Sequence, residues 1–277
     1  MSLPRPLRYA APNIVTSIGA CFGLLSIVAS FEGRYVDAAW LIIWSVLIDR
    51  VDGLVARTLR ATSSFGVQMD SFADAINFGV APAVLAFVVL DGLPQLGFAD
   101  GSGRVLLLAA LAAWVLANVF RLAKFNVASE EDAPGMFFGV ATTLAAGTLT
   151  SWMLVLLKYA PPGSPLHEPG AFSGPKLYGD FTIPLSAWGY IPAAMIVYAL
   201  LMASNLPMPK LGKASSPART AFVLLITLSG YLCGMLRWMP DYMAPLPTLW
   251  TLAFLVWGQI SPRTRALRPP AFLPRED

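Results

Sequence analysis

Charged residues are scarce in this sequence. They make up 13% of its 277 residues, about half of the share that is usual in soluble domains. Hydrophobic residues make up 56%, and the mean hydropathy is +0.63. This balance excludes a soluble globular protein and predicts an all-α integral membrane protein. The net charge of +3 is too small to indicate a protein that binds nucleic acid.

Histidine and cysteine are also rare, with one histidine and two cysteines in the whole chain. His167 lies in a loop rich in proline and glycine, without other metal-ligand residues around it. Cys21 and Cys233 lie inside apolar runs, so no disulfide framework is expected. Without a Ser–His or Cys–His pair, nucleophilic catalysis by the protein is not expected. Any catalysis therefore has to depend on carboxylates and cations.

Long apolar runs recur along the chain, and eight of them are predicted to be transmembrane helices. Their expected bounds are 14–31, 38–58, 66–90, 105–120, 137–157, 188–203, 221–236 and 246–260. Pro82 is expected to kink the third of these helices. The first run is interpreted as a retained helix rather than a signal peptide, because no small-residue cleavage site follows it.

The distribution of lysine and arginine predicts the orientation of these helices. With the N-terminus in the cytoplasm, the cytoplasmic segments carry fourteen of the 19 basic residues and the opposite side carries five. Cytoplasmic loops of membrane proteins are enriched in these residues. Both termini are therefore predicted to be cytoplasmic.

Four aspartates lie at the ends of the second and third apolar runs. Asp49 and Asp52 are three residues apart, and Asp70 and Asp74 are four apart. On a helix, either spacing places both side chains on one face. Carboxylates at membrane depth cost free energy and usually mark a functional site. The stretch from 49 to 74 is therefore the candidate functional site, on the cytoplasmic side.

Four carboxylates on two adjacent helices can bind one or two hard divalent cations. Two such ions would hold a diphosphate and stabilise an in-line displacement at phosphorus. Arg57, about one turn beyond Asp52, is suited to pairing with a phosphate. Gly53 and Gly66 leave room for a bulky group close to the backbone. The residues thus predict phosphoryl transfer, with an aspartate of the second pair as proton acceptor.

Other interpretations of the aspartates remain open at this point. They can be helix N-caps or partners in buried ion pairs with Arg50 or Arg57. They can also form the ion pathway of a cation transporter, which would require polar or acidic residues across several helices. Beyond the aspartates, toward the far side of the membrane, the third to fifth predicted helices carry only Asn77 and Asn118 besides threonine and serine, which disfavours transport.

The pattern of residues 49–74 resembles the signature of the CDP-alcohol phosphotransferase family, D-x2-D-G-x2-A-R-x8-G-x3-D-x3-D. The matching residues are Asp49, Asp52, Gly53, Ala56, Arg57, Gly66, Asp70 and Asp74. The resemblance implies a membrane enzyme that displaces CMP from a CDP-linked lipid with an acceptor hydroxyl. It also implies a six-helix core, here residues 1–203, which usually dimerises and opens to the cytoplasm. Residues 204–277 would then add two helices and a basic tail.

The same resemblance implies a role for each residue of the motif. Asp49, Asp52, Asp70 and Asp74 would be ligands of Mg²⁺ or Mn²⁺, with two ions in the site. Asp74, assisted by Asp70, would be the catalytic base. Gly53, Ala56, Arg57 and Gly66 would shape the pocket for CDP. Since every position of the motif is present, a catalytically inactive scaffold is disfavoured.

Further stretches are similar to the membrane-embedded bacterial phosphatidylserine synthases within this family. They are residues 12–16, 62–66, 69–74, 78–83 and 121–127. This similarity implies a homodimer in the bacterial inner membrane that uses CDP-diacylglycerol and L-serine. Asn77, Lys124 and residues 138–141 depart from the pattern of that subfamily. Glycerol 3-phosphate, an inositol phosphate or another alcohol therefore remain alternative acceptors, although the few cations near the aspartates favour serine.

Five residues outside the motif are further candidates for binding. Asn13 and Thr16 are candidates for holding the nucleotide, with an N-cap at the start of the first helix as the alternative. Arg121, Lys124 and Asn126 are candidates for binding the acceptor or a lipid phosphate. For Arg121 and Lys124 the alternative is ordinary anchoring at the cytoplasmic membrane surface.

Overall fold

The computed structural model describes residues 5–59, 63–127, 136–209 and 217–260. Its helices are α1 (Arg5–Phe31), α2 (Tyr35–Leu59), α3 (Ser64–Asp74), α4 (Ala81–Asp91), α5 (Gly101–Val127), α6 (Thr142–Lys158), α7 (Ile191–Ala203), α8 (Pro217–Met235), α9 (Pro240–Met243) and α10 (Pro245–Ile260). A π-helical segment, Ala75–Val80, joins α3 to α4, and 3₁₀ turns cover Pro94–Leu96 and Leu185–Tyr190. Two short strands, β1 (Met136–Phe138) and β2 (Pro207–Pro209), pair antiparallel.

Five helical stretches in these ranges are long and apolar enough to cross a membrane. They are Ala10–Phe31, Ser64–Asp91, Gly101–Val127, Leu185–Ala203 and Pro240–Ile260. This agrees with the prediction of an all-α membrane protein. Helices α2, α6 and α8 occupy the other three predicted segments. However, α2 carries several charges, α6 has 17 residues, and the apolar part of α8 is short. The count of eight transmembrane helices therefore stays a prediction.

The core forms where the apolar faces of the helices meet. Helix α1 packs along α2, α2 also packs on α6, and α5 packs along α7. Three tryptophans, Trp40, Trp114 and Trp188, are almost completely buried between them. Near the turn between α1 and α2, the Ser26 hydroxyl donates a hydrogen bond to the carbonyl of Ala38 (2.9 Å). This packing fixes the position of α2, which carries the first pair of aspartates.

The third predicted helix changes geometry just before Pro82. Proline has no backbone N–H, so an α-helix would leave the carbonyl of Phe78 without its donor. The indole Nε1 of Trp114 donates to that carbonyl at 3.0 Å. The six residues Ala75–Val80 are π-helical rather than α-helical, a geometry that is frequent at functional sites. The helix that was expected to kink at Pro82 thus departs from α-helical geometry directly after Asp74.

The predicted start of the fifth helix at residue 137 is wrong. Residues 136–138 form β1, and α6 begins at Thr142. Between them, Gly139 adopts a positive φ of 82°, which favours glycine. Its amide donates to the carbonyl of Leu206 (2.8 Å). Hydrogen bonding with β2 therefore replaces the first helical turn that the apolar sequence suggested.

A buried ion pair connects α6 to α9 at the other end of α6. Lys158 Nζ lies 2.9 Å from both carboxylate oxygens of Asp241 and also donates to the carbonyl of Pro175 (2.7 Å). The same carboxylate accepts hydrogen bonds from the Tyr159 hydroxyl and the Leu177 amide, each at 2.8 Å. Burial raises the pKa of Tyr159 to about 12, so its hydroxyl remains a donor. The network ties residues after 203 to the preceding helices; the predicted division at residue 203 stays a prediction.

Candidate active site

Three of the four aspartates converge where α2 meets α3. Asp49 on α2 and Asp70 and Asp74 on α3 each offer a carboxylate oxygen, and these oxygens lie within 4.8 Å of one another. The four-residue spacing of Asp70 and Asp74 places both on the same face of α3. Asp74 is buried, and the other two are half-buried. Two runs of sequence thus form one acidic cluster.

The chemistry of this cluster fits a hard divalent cation. Asp49 interacts electrostatically with both Asp70 and Asp74. Carboxylates at this distance repel one another unless a proton or a cation lies between them. Oxygen ligands of this kind suit Mg²⁺ and Mn²⁺. Asp49, Asp70 and Asp74 are therefore the residues best placed to hold a metal ion.

Asp52 lies beside the cluster, and a side chain of α1 contacts its carboxylate. It is buried, and it interacts electrostatically with the three clustered aspartates. The Thr16 hydroxyl, which also lies 3.1 Å from the carbonyl of Pro12, is 3.0 Å from Asp52 Oδ2. Asp52 is absent from the group whose oxygens converge within 4.8 Å. Its role as a fourth ligand stays a prediction.

The alternative of an N-cap for Asn13 and Thr16 is wrong, because α1 begins at Arg5 and both residues lie well inside it. Pro12 is also inside this helix. Thr16 instead faces α2 and connects α1 to Asp52. The sequence contained a polar residue at this position but no signal for a partner 36 residues away.

Gly66 is a point of close approach between α1 and α3. A Cβ atom at this position would lie 3.2 Å from Asn13 Oδ1 and 3.2 Å from Ser63 Oγ. The Ser63 hydroxyl accepts a hydrogen bond from the Gly66 amide (3.0 Å) and caps the start of α3. Asn13 therefore faces the beginning of the helix that carries Asp70. Room for a nucleotide at Gly66 stays a prediction.

The remaining residues of the motif continue along α2. Gly53 is half-buried, one residue beyond Asp52. Ala56 and Arg57 belong to α2, but their side chains lie outside the described part of the structure. Contacts of Gly53, Ala56 and Arg57 with a nucleotide stay predictions.

The predicted acceptor residues on α5 have different surroundings. Lys124 Nζ donates to the carbonyl of Ser204 (3.0 Å) and to Asn205 Oδ1. The guanidinium of Arg121 is buried, 5.6 Å from the centre of the Phe125 ring. These contacts show that Lys124 connects the ends of α5 and α7. Binding of a phosphate or an acceptor by Arg121 and Lys124 stays a prediction.

Asn126 is the third predicted acceptor residue on α5. Its side chain is exposed, and its amide donates to Ser71 Oγ (2.8 Å), one residue after Asp70. This hydrogen bond joins the end of α5 to the helix that carries the second pair of aspartates. Contact of Asn126 with an acceptor also stays a prediction.

We expect the Thr16→Val substitution to weaken the binding of Mn²⁺ to the purified protein about 10-fold, the low end for residues that orient a ligand. Valine keeps the shape of the side chain but removes the hydrogen bond to Asp52. A Mn²⁺ titration followed by electron paramagnetic resonance measures the affinity. Ser17→Ala is the matched control, since the Ser17 hydroxyl donates to the carbonyl of Asn13 within α1. Equal affinities for the wild type and Thr16→Val would exclude this role.

Comparison with known proteins supports the interpretation of this site. The model of the CDP-alcohol phosphatidyltransferase family matches residues 9–171, which include all four aspartates. A CDP-diacylglycerol–serine O-phosphatidyltransferase of Helicobacter pylori is 34% identical over 151 residues, or 54% of this chain and 60% of the relative. The enzyme of the same name from Mycobacterium tuberculosis is 30% identical over 221 residues, or 79% of this chain and 67% of the relative.

An archaeal relative has a different lipid in its name. The archaetidylserine synthase of Methanothermobacter thermautotrophicus is 33% identical over 147 residues, or 52% of this chain and 58% of the relative. The chain thus spans about 60% of the length of several curated relatives that it matches. Residues after 171, including α7 to α10, lie outside the family match. Since that match covers more than half of the sequence and includes the complete aspartate motif, this chain belongs to the CDP-alcohol phosphatidyltransferase family.

Proposed function

We propose that the protein transfers the phosphatidyl group of CDP-diacylglycerol to the hydroxyl of L-serine, giving phosphatidylserine and CMP. The observation that carries this proposal is the convergence of Asp49, Asp70 and Asp74 within 4.8 Å. The cluster lies inside the region matched by the family. Membership of a transferase family supports this chemistry over a cation transporter.

The choice of serine as the acceptor draws on the names of the relatives. The bacterial relatives are named for transfer to serine from CDP-diacylglycerol. The archaeal relative is named for a serine product with a different lipid. Across this set the named lipid varies while serine recurs. This pattern favours serine over glycerol 3-phosphate or an inositol phosphate.

The cofactor in this proposal is Mg²⁺ or Mn²⁺, with two ions in the site. Asp49, Asp70 and Asp74 would hold them, and Asp52 is the candidate for a further ligand. When bound, such ions neutralise the charge that develops on the diphosphate during displacement.

The protein's own contribution to the reaction is to position groups and to accept a proton. Asp74 takes the proton from the serine hydroxyl. The serine oxygen forms a bond to the phosphorus that carries the diacylglycerol. The bond from this phosphorus to the bridging oxygen breaks, and CMP leaves with the electron pair. The packing of α2 against α3 holds Asp74 beside Asp49 and Asp70, with carboxylate oxygens within 4.8 Å of one another, and so positions the base.

The nucleotide is assigned to the neighbouring part of the motif. Arg57 pairs with a phosphate of CDP, and Gly53, Ala56 and Gly66 leave space for the nucleotide. Asn13, which faces Gly66, borders the same region. We also assign the site to the cytoplasmic side of a bacterial inner membrane, in a homodimer. The distribution of basic residues supports that side.

A release assay with a panel of acceptors tests this function. Purified protein in detergent is given CDP-diacylglycerol, Mg²⁺ or Mn²⁺, and one of L-serine, glycerol 3-phosphate or an inositol phosphate. We expect CMP release with serine to exceed release with either alternative at least about 100-fold, a range that acceptor-specific polar sites reach. Faster release with glycerol 3-phosphate or an inositol phosphate would retain the family reaction and exclude serine as the acceptor.

A further inference from the structure

A cavity of about 220 Å³ lies between α2, α6, α8 and α10. Its walls are mainly apolar, with Leu47 from α2, Leu144 from α6, Ile226 from α8 and Leu246 from α10. Helices α8 and α10 lie after the region matched by the family. The C-terminal part of the chain therefore supplies one side of this cavity, and α2 and α6, which lie inside the matched region, supply the other.

The cavity is separated from the aspartate cluster by α2. Four residues of α2 line the cavity: Ile43, Val46, Leu47 and Arg50. Their spacing places them on one face of the helix. At 3.6 residues per turn, the centre of this face lies roughly 140° around the helix axis from the face of Asp49 and Asp52. A molecule in the cavity would thus lie behind the helix that carries the first aspartate pair.

Arg50 gives this apolar cavity a positively charged end. Among the described residues that line the cavity it is the one that carries a positive charge, and its side chain is exposed. It lies one residue after Asp49, at the end of α2 that we assign to the cytoplasmic surface. A guanidinium binds phosphate oxygens with two parallel hydrogen bonds. Basic pockets between transmembrane helices on the cytoplasmic side bind the head groups of anionic lipids.

We propose that this cavity binds one anionic phospholipid of the bilayer, in addition to the lipid substrate at the aspartates. One acyl chain fills the space between α6, α8 and α10, because an apolar cavity at membrane depth gains contacts when a lipid chain occupies it. The lipid phosphate pairs with Arg50. Apolar walls combined with the guanidinium of Arg50 at the membrane surface match the chemistry of a phospholipid. The C-terminal helices thus form half of a lipid site.

Native mass spectrometry of the full chain, purified in detergent, tests the proposal. The delipidated protein is titrated with phosphatidylglycerol and with phosphatidylcholine of the same acyl chains. We expect one phosphatidylglycerol per chain to bind about 10-fold more tightly than phosphatidylcholine, a difference of one charge-assisted interaction. Arg50→Gln is expected to remove this preference and to retain binding of both lipids. Equal affinities of the wild-type protein for the two lipids would overturn the proposal.

Variants that fill the cavity test its position. Thr227→Phe adds a ring to the cavity wall on α8, and Gly147→Leu adds volume from α6, where a Cβ atom would have ordinary contacts with Val46. Each is expected to weaken phosphatidylglycerol binding at least about 10-fold, the consequence of losing the buried chain. Leu228→Phe is the matched control, because Leu228 is exposed on the outer face of α8. Wild-type affinity in both filled variants would overturn the proposal. The measurement needs no catalysis, so its outcome is independent of the proposed reaction.

Discussion

The Asp74→Asn substitution is expected to lower kcat for CMP release by about 10²–10⁴-fold, the range for loss of a general base. The amide has nearly the same shape as the carboxylate but cannot accept the proton of the serine hydroxyl. Asp74 is buried and lies within the cluster formed with Asp49 and Asp70. Measurement of CMP release at saturating serine and CDP-diacylglycerol separates kcat from an effect on substrate binding.

Asp91→Asn is the control for this experiment. Asp91 ends the same helical stretch but is exposed, where it pairs with Arg104 at 2.5 Å. We expect this variant to keep the wild-type rate. If Asp74→Asn retained most of its activity while Asp70→Asn lost it, the base would be Asp70 and the assignment of Asp74 would be wrong.

The Lys158→Met substitution is expected to lower the free energy of unfolding by about 3–5 kcal/mol, as when one partner of a buried ion pair is removed. The side chains of Lys158 and Asp241 are 2% and 0% exposed. Without the lysine, the carboxylate of Asp241 remains buried without its counter-charge. Unfolding in mixed micelles with increasing dodecyl sulfate, followed by tryptophan fluorescence, measures the loss.

Two further variants show whether the ion pair is the cause. Replacing both partners, in Lys158→Met with Asp241→Leu, is expected to recover part of the stability, because no buried charge is then left unpaired. The recovery is incomplete because the Tyr159 hydroxyl and the Leu177 amide lose their acceptor. Arg34→Ala breaks an exposed pair with Glu32 and is expected to cost less than about 1 kcal/mol. A Lys158→Met protein as stable as Arg34→Ala would show that the network contributes little.

The positions of the helices could be predicted from the sequence because apolar runs of sufficient length have few other solutions in a membrane. All eight predicted segments contain a helix. The prediction was wrong at residues 137–141, where hydrophobicity alone does not separate a helical turn from a strand. Backbone hydrogen bonding to residues 206–209 determines that structure. This pairing joins segments that are far apart in the sequence.

The placement of each aspartate pair on one face of its helix was predictable because the spacing is local, three residues on α2 and four on α3. The hydrogen bond from Thr16 to Asp52 was not predictable in this way, since it depends on how α1 packs against α2. The same holds for Lys124, whose partners Ser204 and Asn205 lie about 80 positions further along the chain. The sequence alone does not show whether a basic residue at a membrane surface bonds to a neighbouring helix or binds a ligand.

Transfer of labelled serine into lipid tests the central claim most directly. The purified chain is given CDP-diacylglycerol and labelled L-serine, first with a chelator and then with Mn²⁺ restored. We predict that label enters the lipid fraction only with the cation and CDP-diacylglycerol present, with one CMP released for each labelled lipid. Labelled lipid formed at the same rate in the chelator would contradict the assignment of a metal site to the aspartates. CMP release without labelled lipid would contradict the proposed acceptor.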